Sequence, residues 1–292
     1  MILPPNHPMN VSFYMDDTAR YGNFTSEIAH ASSHHYAWCW RAAANSEDPV
    51  SVWLPGIAAS CKRAVQAGRK IHLNLDMTWP TPVDTVLNYL YPYRASIDLI
   101  EVADEPPWNA AGTKNNLQLV RAALNRCGYG ARRLGIVYST KQFPGRPGKI
   151  PAYDFADWIG IEAYLEPPGD KDSAYNVEML TTYVSKALAV ATKAHKEVVM
   201  IPMAYSRNGA WRGLGSPDPK RKWVGPYLTP GGAAWKQAVK TLKDLQQPIY
   251  DLCRSNKAVI AYNMFSWGRW YGAREYPALA AECLRIGAAA CR

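Results

Sequence analysis

Short runs of β-branched and aromatic residues, each closed by turn-forming or charged residues, recur eight times along the chain. They cover Asn10 to Met15, His34 to Trp40, Lys70 to Leu75, Ile97 to Ala103, Arg132 to Tyr138, Asp157 to Ala163, Glu197 to Ala204 and Lys257 to Phe265. Between them, Leu54 to Gln66, Asn115 to Arg126, Ala174 to Lys193 and Thr229 to Arg254 carry apolar residues near helical spacing, which predicts amphipathic helices. Strand and helix alternate from end to end. Eight such units in 292 residues, with no shift of composition to mark a boundary, predict an α/β fold made of a single (β/α)8 TIM barrel over residues 1–292. A doubly wound open sheet ranks second, because it wants a Gly-rich phosphate turn after an early strand and VSFYMDDTARYG has no GxGxxG.

Composition adds exclusions. Hydrophobic residues make up 48% and charged residues 20%, and no run of about 18 apolar residues occurs, so no membrane span is expected. The opening MILPPNHPMN lacks a basic region followed by an apolar stretch and is not read as a signal peptide. The net charge of +9 favours anionic partners. Its positive residues are spread along the chain, apart from one denser cluster at Lys220, Arg221 and Lys222, so nucleic-acid binding is not expected. Six cysteines include no CxxC pair, which argues against a structural zinc site; three disulfides and buried free thiols stay equal alternatives. Neither a metal nor a cofactor is expected.

In a barrel of parallel strands the chemistry sits at the carboxyl ends of the strands. The segment IDLIEVADEPPW places Asp104 and Glu105 there, because Pro106 and Pro107 donate no amide hydrogen and cannot prolong a ladder. The other strand ends carry Asp16 and Asp17, Asp76 with Trp79, Glu162 with Tyr164, Tyr205, and Trp267 with Trp270. Acids from at least four strands facing one mouth repel one another, which packing alone does not explain. Trp79, Trp108, Tyr164, Tyr205, Trp267, Trp270 and Tyr271 follow within a few residues of these ends. Flat rings with a polar edge beside carboxylates suit sugars, and eleven tryptophans and eighteen tyrosines against five phenylalanines fit that use. A long segment after the seventh strand, residues 206–234, is expected to form a rim or lid, with Arg207, Arg212, Lys220, Arg221 and Lys222 available to an anionic polymer.

Most glycoside hydrolysis needs two carboxyl groups flanking the scissile bond, about 5 to 5.5 Å apart for retention and about 6.5 to 9.5 Å for inversion. Glu105 and Glu162 are the first choice, with Asp104 raising the proton affinity of Glu105 by like-charge repulsion. Together with the eight-strand pattern, Asp104, Glu105 and Glu162 resemble glycoside hydrolase families 114, 135 and 166, whose members act on galactosamine-containing exopolysaccharides. There is partial similarity to the clan of retaining barrel glycosidases with Asn-Glu-Pro on strand four, here Asp104-Glu105-Pro106; that clan's strand-seven nucleophile has no counterpart in VVMIPMAYS. The resemblance implies a polysaccharide-cleaving, endo-acting monomer with Asp104, Glu105 and Glu162 as catalytic residues. Asp16, Asp76, Trp79, Trp108, Tyr164, Tyr205, Trp267 and Trp270 are the expected substrate contacts. Such a substrate favours an extracellular, cell-surface or virion-associated setting. Which of the three carboxylates acts as acid, nucleophile or orienter stays open; Asp104 could instead position a substrate N-acetyl group. Two rival readings are Mg2+- or Mn2+-dependent phosphoester chemistry on Asp16, Asp17, Asp76 and Asp104, and a carbohydrate-binding barrel without catalysis.

Overall fold

The computed structural model describes residues 3–14, 26–38, 50–75, 82–106, 110–139, 142–143, 153–164, 177–202, 204, 233–265, 273 and 276–292. Its strands are β1 (Asn10–Tyr14), β2 (His34–Trp38), β3 (Lys70–Asn74), β4 (Ile97–Asp104), β5 (Arg133–Tyr138), β6 (Trp158–Ala163), β7 (Glu197–Pro202) and β8 (Val259–Phe265). Each lies within two residues of the run that predicted it. The helices are α1 (Ser26–Ala29), α2 (Val50–Gln66), α3 (Val83–Leu90), α4 (Ala110–Arg126), α5 (Val177–Lys193), α6 (Ala233–Arg254) and α7 (Pro277–Ala290). Of these, α1, α3 and α7 have no counterpart in the sequence reading. Ala233 and Ala234, which fall both in the predicted helix Thr229 to Arg254 and at the end of the long segment 206–234, open α6.

All strands run parallel, in the order β1-β8-β7-β6-β5-β4-β3-β2. The first strand pairs with the last along its whole length, from Asn10 opposite Ala261 to Tyr14 opposite Phe265. Between β1 and β2 the barrel is closed by Ser33: its amide donates to the Val11 carbonyl at 2.9 Å and its hydroxyl accepts from the Val11 amide at 2.7 Å. Eight parallel strands closed this way form a (β/α)8 TIM barrel.

Successive residues of a strand face opposite sides, so each strand feeds two layers. Ile136, Ile159 and Val198 pack outward against helix residues such as Leu117, Val184 and Leu245. Leu99, Val137, Trp158, Val199, Ile201 and Ala261 form a separate cluster, filling the barrel itself. Two glycines make room for it: a Cβ on Gly135 would lie 2.0 Å from the Trp158 ring, and one on Gly160 would lie 2.5 Å from Cγ2 of Val137. Cys61, Cys253 and Cys283 are buried free thiols, whereas Cys127 is a half-buried free thiol and Cys291 an exposed one. Among the described residues no helix is long and apolar enough to cross a membrane.

Candidate active site

The two sides of β4 exchange roles partway along the strand. Glu101 lies opposite Gly135, but a register irregularity follows, so that Asp104 rather than Ala103 lies opposite Val137. Because Gly135 and Val137 share the inner face, Glu101 and Asp104 both point into the barrel; an unbroken alternation would have turned Asp104 outward. Asp104 ends the strand, as the two prolines predicted. Glu105 follows in a left-handed conformation at φ 45°, with its amide donating to the Val137 carbonyl at 3.0 Å. A non-glycine residue in this region is costly and is held only by its surroundings.

Two strands away, Glu162 stands near the end of β6, opposite Ile201 of the inner cluster. It is 6% exposed, and its Oε2 has no hydrogen-bond partner. Burial holds its proton affinity well above the ordinary carboxyl range; the negative charges of Asp104 and Glu105 and a hydrogen bond with Glu105 act in the same sense. The nearby Tyr164 hydroxyl pulls the other way. The structure therefore brings Asp104, Glu105, Glu162 and Tyr164 together at the carboxyl rim. It also changes the emphasis: like-charge repulsion was expected to load a proton onto Glu105, whereas the carboxyl withdrawn from water and pressed by two neighbours is Glu162. Glu105 is exposed.

Beneath this cluster lies a polar layer that the sequence reading did not assign. Glu101 is wholly buried and accepts hydrogen bonds from the Tyr36 hydroxyl at 2.7 Å and the Asn74 amide at 2.6 Å. The Asn74 amide also reaches the Tyr36 oxygen at 2.9 Å. His72 sits beside them, edge-on to Tyr36 at 4.8 Å and to Trp158 at 5.2 Å, with neither ring nitrogen hydrogen-bonded. Its Nε2 lies 3.7 Å from Glu101, too far for a hydrogen bond. Burial, reinforced by the nearby His34, pushes its pKa down to about 3. The available signal was a charged residue inside the apolar run IDLIEVA, together with the polar pair in KIHLN.

His72 makes the fold acid-sensitive. An unfolded histidine titrates near 6.5, so between about pH 6.5 and pH 3 the unfolded chain binds a proton that the folded chain refuses. Stability thus falls as pH falls through that window, by at most about 1.4 kcal/mol per pH unit from this group. Urea denaturation of His72→Gln should show a flatter pH dependence there than the parent; matching slopes would refute the assignment.

No family profile and no curated protein matches the chain. Solved structures do. The β-glucuronidase from Ruminococcus gnavus, in complex with D-glucuronic acid, superposes with a TM-score of 0.56 at 11% identity over 96% of this chain and 49% of that one. Its complex with D-glucaro 1,5-lactone gives 0.55 at 11% identity, over 96% and 50%. An endo-beta-mannanase/endo-beta-glucanase of Prevotella bryantii gives 0.56 at 10% identity, over 96% and 48%. The chain spans about half the length of these proteins, and at such identity the likeness establishes a shared barrel fold.

Asp16, Asp17, Asp76, Trp79, Trp108, Tyr205, Trp267, Trp270 and Tyr271 lie outside the described residues, as does the basic segment up to residue 232. Among the described residues no group of three or more His, Cys, Asp or Glu side chains is arranged to hold a metal ion. Sequence reasoning also missed Gln142, which donates to the Pro106 carbonyl next to Glu105, and Tyr183, which lies close enough to Glu162 to feel its charge.

Proposed function

We propose that this chain is a glycoside hydrolase acting within a polysaccharide, with Glu162 as proton donor and Glu105 as its partner. The observation that carries this reading is the Glu162 carboxyl, 6% exposed and with its proton affinity raised by burial and by the neighbouring charges of Asp104 and the exposed Glu105. A carboxylic acid that keeps its proton near neutral pH can hand it to the departing glycosidic oxygen. The exposed Glu105 then attacks the anomeric carbon, giving a glycosyl ester; Glu162, now ionised, takes a proton from the water that cleaves this ester. The closeness of the two carboxyls suits the retaining arrangement, in which they stand about 5 to 5.5 Å apart, better than the inverting one. Asp104 supports the pair by keeping the proton on Glu162.

The substrate class follows from several supports. The resemblance carried by Asp104, Glu105 and Glu162 points to galactosamine-containing exopolysaccharides, the net charge of +9 favours an anionic chain, and the similar barrels are named for action on glucuronide, mannan or glucan. Purified protein is to be incubated with amino-sugar and acidic polysaccharides and the products weighed by mass spectrometry. The expected result is release of oligosaccharides with retained anomeric configuration, reduced at least about a hundredfold in Glu105→Gln. Unchanged cleavage in that variant, or no product from any polymer, would overturn the reading.

A further inference from the structure

The left-handed turn at Glu105 has an external support. Pro106 has no amide hydrogen, so its carbonyl is the only backbone group by which that residue can be anchored. That carbonyl accepts a hydrogen bond of 2.7 Å from Nε2 of Gln142, whose side chain is buried beyond the end of β5. The other end of the same amide, Oε1, accepts from the Ser139 backbone at 3.2 Å. Gln142 is itself fixed: its amide and that of Phe143 both donate to the Ser139 carbonyl, at 2.9 and 3.0 Å. The Phe143 ring stacks on Tyr138 with centroids 6.2 Å apart, and the Phe143 carbonyl accepts from the Tyr183 hydroxyl of α5 at 2.7 Å. Tyr183 in turn lies close enough to Glu162 to feel its charge. Glu105 and Pro106 are therefore tied at two successive points to the β5 side of the barrel, by Glu105 N–H to Val137 and by Pro106 C=O to Gln142.

We infer that Gln142 is the positioning residue for Glu105: by holding the Pro106 carbonyl it keeps the chain in the left-handed conformation that carries the Glu105 carboxyl to Glu162. The alternative for this stretch is a relaxed turn with φ below zero, which rotates the Glu105 side chain away from the rim. The activity arm of the test rests on the glycosidase reading; the spectroscopic arm does not.

The full chain is to be prepared as Gln142→Glu and Gln142→Met. The first keeps the side-chain length and the acceptor for Ser139 but replaces the donor to Pro106 with an oxygen; the second removes both bonds at similar volume. Carboxyl 13C NMR of glutamate-labelled protein, with the Glu162 resonance identified by its loss in Glu162→Gln, follows the titration of Glu162. In Gln142→Met that titration is expected to move at least about one pH unit towards the ordinary carboxyl range, because the contact with Glu105 is lost; the added carboxyl of Gln142→Glu acts in the opposite sense, so that variant is read by kcat. On a polymer the parent cleaves, kcat should fall about 10- to 100-fold, the size expected when a reacting group is misplaced by about 1 Å, with KM within about twofold. Folded variants with the parent's titration and kcat would overturn the proposal, as would collapse of the fold in both, which would make Gln142 a support of the barrel rather than of the carboxyl. A shifted titration in a parent that cleaves nothing would uphold the positioning role and sink the glycosidase reading instead.

Discussion

Replacing Glu162 with glutamine lowers turnover about a thousandfold and leaves the protein harder to unfold than the parent above the ordinary carboxyl range. The first effect follows from the proposed role, since a glutamine has no proton to give to the leaving oxygen and a lost general acid costs about 10²- to 10⁴-fold. The second follows from the same burial. Glu162 binds its proton more tightly when folded than when unfolded, so its contribution to stability is fully present below about pH 4.3 and is lost as pH rises through its raised folded value. Glutamine copies the protonated carboxyl and suffers no such loss. The difference in unfolding free energy between variant and parent should therefore grow with pH from about 4.3 upward and then level off. Denaturation curves across that range, beside initial rates on the cleaved polymer, measure both effects. A variant that loses activity but gains no stability would mean that Glu162 is not held protonated.

Glu101→Ala should cost about 4 kcal/mol of stability. The wholly buried carboxyl accepts from Tyr36 and Asn74, and cutting it back removes both hydrogen bonds, leaving the Asn74 amide its bond to the Tyr36 oxygen, while opening a cavity beneath the site. Glu101→Gln keeps the volume and one acceptor oxygen, so its cost should stay near about 1 to 2 kcal/mol. The two variants compared by chemical denaturation separate lost hydrogen bonding from lost packing. Equal costs would show that the network contributes little and that charge alone sets the penalty.

The contrast between these carboxylates shows how far the sequence could be read. Parallel strands covered on both faces appear as short, nearly unbroken apolar runs, which is why all eight were legible to within two residues at either end. The meeting of Asp104, Glu105 and Glu162 was legible too, because a barrel brings its strand ends to one rim. The burial of Glu162 was not, since which carboxyl loses its water depends on the packing around the strand ends. Glu101 was hidden inside a strand that otherwise read as core. Gln142 was hidden because its partner, Pro106, belongs to a different loop and no local pattern joins them. The helices Val83–Leu90 and Pro277–Ala290 escaped notice; the first is short, and the second is dominated by alanine, which gives little contrast between faces.

The pairing of β1 with β8 has a consequence for how this chain is made. Its first strand has its ladder partner roughly 250 positions later, Asn10 lying opposite Ala261, and is hydrogen-bonded on its other side to Ser33, just before β2. During synthesis, Val11 and Phe13 leave the ribosome long before the strand that will shelter them exists, so the first of the eight strands is among the last to complete its ladder. A cell producing this protein must keep that apolar edge from meeting other chains until β8 arrives, and closure of the barrel becomes the slow, aggregation-exposed step of its folding.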